Sequence, residues 1–333
     1  MSIRIATGGA VTEAVRRGLP RLVDERIASG ITAQDAGLWG PASEARASAS
    51  LGWTESVADS HELLPAVASL RAELQRGGAH RVVLVAPPIT ALAARALTAT
   101  QGLALTTVPA EVEGIATALG GAPDAAVVVA DPAGVQPAAL LDEVVRAVRG
   151  AGVDPSRRVV VAAPAGSPLL DEAARAGVHP ITAGAGIGDR FSALSAAVLV
   201  PAGLAGADVA EVLDEAESEE LNLAIDDPAN NGLRLGAAVG GAGLDHLAVV
   251  ADGTHLVGVE SWAGAVLSGA GLMPPADGPS VVLRLVGEAR DADAGEGEVL
   301  LSGSLGEVLL VVQYATCAAG WLRGADPFGQ ERA

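Results

Sequence analysis

The chain reads as a doubly wound parallel α/β sheet, preceded by a helical segment and followed by a second, smaller α/β region. Three observations carry that reading. Unbroken apolar runs of strand length occupy 81–86, 103–108, 126–130 and 158–163. Strands covered on both faces lose the in–out alternation of half-exposed ones, so such runs point to a parallel sheet between helical layers. Helical stretches at 90–100, 111–119, 136–150 and 168–176 separate or follow the runs, as βαβ units require. Short turns join them: Ala86-Pro-Pro-Ile-Thr90, Asp131-Pro-Ala-Gly-Val135 and Ala163-Pro-Ala-Gly-Ser167. Sheets of this kind bind ligands beyond the carboxyl ends of their strands, so these turns are where a site is expected.

Ahead of the sheet, Val11, Val15, Leu19, Leu22, Val23 and Ile27 fall near helical spacing and predict a helix over 11–29, kinked or split at Pro20. A turn-rich linker, Asp35-Ala-Gly-Leu-Trp-Gly-Pro41, and a short helix lead to Leu51-Gly-Trp53. A further helix over 63–76 stops at Gly77-Gly78. After the sheet, 191–224 reads as helical with an acidic face over 211–220, and 233–241 as another helix. Strands are expected at 246–251, 257–260, 281–286 and 299–301, with a helix over 262–268 and a closing helix over 305–322. The resulting segments are 1–78 (helical), 79–190 (first α/β domain), 191–241 (helical connection) and 242–333 (second, reduced α/β domain).

Composition narrows the function. Of 333 residues half are hydrophobic but few are aromatic, so alanine, valine and leucine build the core. A formal charge of −19 opposes both a nucleic-acid and an anionic-membrane role, since each demands a basic face. All 21 basic residues are arginine, which removes Schiff-base chemistry and a phosphate-loop lysine. The single cysteine, Cys317, reads as a buried small hydrophobe. The five histidines show no metal-ligand spacing, and no metal or cofactor is expected. The most apolar run, 193–207, is too short for a bilayer, and the start of the chain lacks a signal-peptide pattern, so a cytoplasmic protein is expected.

One stretch gathers glycine and charge: Gly184-Ala-Gly-Ile-Gly-Asp-Arg-Phe-Ser-Ala-Leu-Ser195. Within it Gly188-Asp-Arg-Phe-Ser-Ala-Leu-Ser195 resembles the Gly-Gly-Arg-(Phe/Tyr)-Ser signature of the glucose-6-phosphate isomerase family, in its bacterial form of two sugar-isomerase (SIS) domains. Leu38-Trp-Gly-Pro41 with Leu51-Gly-Trp53, Leu199-Val-Pro-Ala-Gly-Leu-Ala-Gly206 and Asp326-Pro-Phe-Gly-Gln330 resemble further family segments in the same order. The resemblance implies an SIS fold, an aldose–ketose isomerisation between glucose 6-phosphate and fructose 6-phosphate, and a homodimer or a complex with a related protein. It also implies a phosphosugar ligand, with Gly188, Arg190 and Ser167 as substrate-binding positions. Arg190 matches the family's signature arginine, the cation that would steady an enediolate.

Several positions depart from the family pattern. The first glycine-rich turn is replaced by Ala86-Pro87-Pro88-Ile89-Thr90, whose prolines lack amide donors. The hydroxyl-rich phosphate loop is replaced by Ala130-Asp131-Pro132-Ala133-Gly134-Val135, and a carboxylate there opposes a phosphate by about 4 kcal/mol per charge pair at intermediate dielectric. Aligned on Trp262-Ala263, the catalytic glutamate falls on Gly269 and an earlier glutamate on Gly264, and the terminal lysine is absent. Losing a general base forfeits ~10²–10⁴ in rate. The expected protein is therefore an SIS-fold chain that has lost catalysis and serves as a binding, regulatory or partner subunit. The alternatives are an active isomerase using another carboxylate such as Glu260 or Asp252 as base, and a ligand-free structural subunit; His255, near the expected strand ends of the second domain, is a separate candidate for a cleft position. Bland structural roles compete at each position: Asp189 capping the helix that follows it, Arg190 in a surface or interdomain ion pair, Ser167 as an N-cap, and a cleft filled by Pro87, Pro88 and Val135.

Overall fold

A computed structural model describes residues 3–329 apart from 112, 120–122, 242, 244, 254 and 276–279; Val112, Thr254 and Gln330 of the stretches named above lie outside the described residues. Nine strands form among the described residues: β1 (Arg4–Thr7), β2 (Arg81–Ala86), β3 (Thr106–Pro109), β4 (Ala125–Ala130), β5 (Val159–Pro164), β6 (His179–Ala183), β7 (Leu247–Ala251), β8 (Val281–Leu285) and β9 (Glu298–Ser302). The chain clusters into two compact units, residues 55–210 and residues 1–54 with 211–333. These divisions fall elsewhere than the segments read from the sequence. The helix Leu64–Arg76 packs on Ala196–Ala205 within the first of these units, whereas Gly9–Asp24 packs on Asn231–Gly240 within the other.

In the unit 55–210 the sheet order is β3-β2-β4-β5-β6, all neighbours parallel. β2 to β5 are the four expected apolar runs. β4 and β5 are buried along their whole length, which is why they show no alternation. One face packs Val83, Val85, Val127, Val129 and Val161 against Leu140, Leu141 and Val144 of the helix Ala138–Gly150. On the other lie the helices Pro88–Thr100 and Ala196–Ala205, the latter touching β2, β4, β5 and β6. β6 is a strand the sequence did not predict. His179 and Pro180 break its apolar pattern, and proline is tolerated there because β6 is an edge. The order reverses between β2 and β4, so the switch point lies between the turns that follow them.

The other unit holds a sheet of order β1-β9-β8-β7, with β7, β8 and β9 parallel and β1 antiparallel to β9. β1 is only four residues long and carries no sequence signal of its own. Three further expectations are corrected. The first helix, Gly9–Asp24, runs through Pro20, and the break comes instead at Arg26, whose φ of 58° is left-handed, before Ile27–Thr32. Residues 257–260 are not a strand; Gly258 starts the helix Val259–Leu267. The stretch 191–224 is a 3-10 turn and two helices, Ala196–Ala205 and Val209–Leu223, divided at Gly206.

The 19-residue helix Leu305–Arg323 is long and apolar enough to cross a membrane by composition, and it is the core helix of its unit, with residues 305–320 all buried. It passes close against Asn231–Gly240, whose glycines at four-residue spacing admit the approach. A Cβ at Gly236 would stand 2.7 Å from Ala318 Cβ, and one at Gly240 would stand 2.7 Å from Ala319 Cα. Tyr314 packs edge-on against Trp53, and burial pushes its hydroxyl up to about 12.

Candidate functional site

The turn Gly188-Asp-Arg-Phe-Ser192 stands at the carboxyl edge of the five-stranded sheet, and its charged pair divides in two directions. Pro88 opens the helix Pro88–Thr100 at a position where its missing N–H costs nothing, so Pro87-Pro88 is a helix start. The next two amides of that helix point at Asp189. Ile89 N donates to Asp189 Oδ2 at 3.1 Å, and Thr90 N donates to Oδ1 at 2.7 Å. The Thr90 hydroxyl donates to the same Oδ1 at 2.7 Å and contacts Ser192 Oγ at 2.8 Å. Asp189 therefore caps a helix 100 residues upstream, not the turn it opens. Free helix amides after the first strand of such a sheet are a ready anion site. Here the protein's own carboxylate occupies them.

Arg190 is buried, at 7 % exposure, so of the expected surface or interdomain ion pair the surface alternative does not hold. Gly188 precedes it in extended backbone and accepts the Phe191 amide through its carbonyl. Ser167 is the N-cap of Pro168–Ala176, its Oγ accepting from Leu170 N at 3.3 Å, and is buried. The three expected substrate positions thus fall at two places: Gly188 and Arg190 in the turn, Ser167 after β5.

After β4, Asp131 is completely buried. Its Oδ2 accepts from Gln136 N at 2.8 Å, while Oδ1 is buried with no hydrogen-bond partner among the described residues. Gly134, at φ +70°, brings this loop against Ser167, with Cβ–Cβ clearance of only 3.4 Å if a side chain were added. A buried carboxylate thus stands at the carboxyl end of β4. Of the three side chains weighed as possible fillers of the cleft, Pro87 is half-buried, Pro88 is exposed and Val135 is 73 % exposed. Asp189 and Asp131 occupy the carboxyl ends of β2 and β4 instead.

Beside the turn a cavity of about 300 Å³ remains, lined by Ser56, Asp59, Ser60, Glu62, Thr182 and Ser195 among others. Ser60 and Ser195 already donate to the carbonyls of Leu194 and Ser192. Its two carboxylates and its hydroxyls suit cationic or hydroxylated groups, and no arginine lines it among the described residues. Sequence reasoning missed Thr90 and Ser56. A Pro-Pro pair followed two residues later by threonine was the available signal for Thr90; nothing marked Ser56.

In the other unit Gly264 lies within the helix Val259–Leu267 and Gly269 in the 3-10 turn after it, so no carboxylate stands at either position. Glu260, in the first turn of that helix, has a buried Oε2 without a partner among the described residues. Asp252 is committed to the backbone, accepting from His255 N at 3.1 Å and Gly287 N at 3.3 Å. The His255 ring donates from Nε2 to the Gly303 carbonyl at 2.9 Å. Cys317 is buried, which raises its thiol well above the usual range.

No protein-family model and no curated protein matches the chain. Solved structures do. A hypothetical protein from Thermus thermophilus is similar over 99 % of this chain and 96 % of that one, with a TM-score of 0.74 and 18 % identity. A glucose-6-phosphate isomerase from Chlamydia trachomatis is similar over 86 % of this chain and 72 % of that one, with a TM-score of 0.63 and 15 % identity. A tagatose-6-phosphate ketose/aldose isomerase from Escherichia coli is similar over 97 % and 96 %, with a TM-score of 0.56 and 11 % identity. At these identities the likeness is one of fold, and the chain has the SIS-type α/β fold of these phosphosugar isomerases.

Proposed function

We propose that this protein is a non-catalytic member of the phosphosugar isomerase group, derived from the glucose-6-phosphate isomerase type and acting as a binding or regulatory subunit in sugar-phosphate metabolism. The observation that carries the reading is Asp189: its carboxylate takes the two helix amides, at 3.1 and 2.7 Å, that an incoming phosphate would need. The buried carboxylate of Asp131 and the glycines at 264 and 269 agree with it. The subunit acts as a homodimer or beside a related, active chain.

A coupled assay with glucose 6-phosphate and with fructose 6-phosphate tests this. The expected result is no turnover above buffer in either direction. Turnover abolished by Glu260→Gln, in a variant that still unfolds at the wild-type temperature, overturns the reading and makes Glu260 the base. A thermal-shift series with the same two phosphosugars distinguishes a binding subunit from a ligand-free one. A ligand held at about 100 times its dissociation constant adds ~2.7 kcal/mol of stability.

A further inference from the structure

The opposite edge of the five-stranded sheet carries a second cavity, of about 450 Å³, at the amino ends of β2 and β4. Leu74, Val82, Ala126 and Leu204 make an apolar floor, with Arg71, Gln75, His80 and Arg81 around it. Among the described residues no aspartate or glutamate lines it, in a chain that carries 40 of them. Arg81 is engaged by Asp124 at 2.9 Å, but Arg71 is not engaged at all. It makes no ion pair and no hydrogen bond among the described residues, and its Nε is buried without a partner.

This guanidinium lies against the end of a neighbouring helix. Gly206 ends the helix Ala196–Ala205 at φ +112°, and a Cβ there would stand 2.7 Å from Arg71 Nη2. The negative end of that helix favours a cation nearby, which accounts for the charge being held there. It does not use the donors. A guanidinium offers five N–H groups in a fork matched to two oxygens of one anion, and Arg71 brings such a fork to the cavity lining with its buried Nε unpaired among the described residues.

We propose that Arg71 is the anchor of an anion-binding pocket for a small organic oxyanion, a phosphate monoester or a carboxylate, whose apolar part lies on Leu74, Val82 and Leu204. The pocket is remote from the carboxyl-edge turns, so it stands whether or not those turns support catalysis. It gives a protein whose phosphate position is filled from within a second way to sense a metabolite.

Isothermal titration with inorganic phosphate and, separately, with butyrate tests the pocket, with sodium chloride of equal ionic strength as the reference. Saturable binding of one of the two, at one site per chain, is expected; which of them binds assigns phosphate or carboxylate as the class. Arg71→Met keeps the aliphatic stem and should weaken that binding about 10–100-fold, the loss of a charge-assisted contact. Ala104→Phe, at an exposed lining position, leaves Arg71 in place and should abolish binding by filling the cavity. Failure of both anions to saturate overturns the proposal. So does binding that survives Arg71→Met or, should that variant not fold, Ala104→Phe.

Discussion

Replacing Asp189 by alanine removes three acceptor contacts at one point: Ile89 N, Thr90 N and the Thr90 hydroxyl. Thr90 is fully buried in the wild type, where its amide relies on Asp189 and its hydroxyl on Asp189 and Ser192. Loss of an N-cap alone costs about 0.5–2 kcal/mol, and hydrogen bonds to a charged group contribute roughly 1.5–3 kcal/mol each. These terms overlap, and a total loss of about 2–4 kcal/mol is expected. For a domain of this size that lowers the melting temperature by roughly 5–15 °C. Urea denaturation read by circular dichroism gives the free energy directly. Asp189→Asn, which keeps one acceptor oxygen, should lose less. Sulfate should restore more stability to Asp189→Ala than it adds to the wild type, because the vacated helix start then takes an anion from solution. A loss below about 1 kcal/mol, with no selective rescue, would show that the amides of this helix are not held by Asp189 and would remove the main support for a closed phosphate position.

Gly240→Ala, placing a methyl against Ala319 Cα, should cost about 1–3 kcal/mol by overpacking the two core helices, read from the same urea curves. Gly264→Ala is the contrast, because its nearest neighbour would be Val249 Cγ2 at 3.8 Å, and a gain of about 0.5–1 kcal/mol is expected in a helix interior. Burial lifts the Glu219 carboxyl above its usual value of 4.5, against the opposing hydrogen bond from Asn231. A raised acid binds protons more readily in the folded state, so its contribution is present below the unfolded value and is lost as pH rises through the folded one. Glu219→Gln should therefore melt higher than wild type at pH 7 and converge with it below pH 4.5. The buried Cys317 thiol should resist an aromatic disulfide reagent in the native protein and react in full in denaturant.

Strands β2, β4 and β5 were legible because they are buried on both faces and so leave continuous valine and alanine runs. β6 and β1 were not, the one interrupted by His179 and Pro180 at an edge, the other four residues long. The absence of a carboxylate at 264 and 269 is plain in the sequence, where the resemblance aligned on Trp262-Ala263 would expect glutamates. The role of Asp189 could not, since its partners lie 100 residues away and only the folded sheet brings the two turns together. Arg71 sits in a helix whose sequence looks like an ordinary solvated face. That its Nε is buried without a partner among the described residues, beside Gly206, appears only in the folded unit and in no local pattern.

The pairing of β1 with β9 sets a timetable for folding. Residues 55–210 are contiguous, so that unit can close as soon as its own stretch has been synthesised. The other unit joins Arg4 to Ser302, and Ala10 N donates to Glu296 Oε1 across 286 residues. Its first helix must wait for Asn231–Gly240 and its first strand for Glu298–Ser302. Loop closure of that length makes the final step slow. Once the contiguous unit has closed, only residues 1–54 and 211–333 remain to be joined.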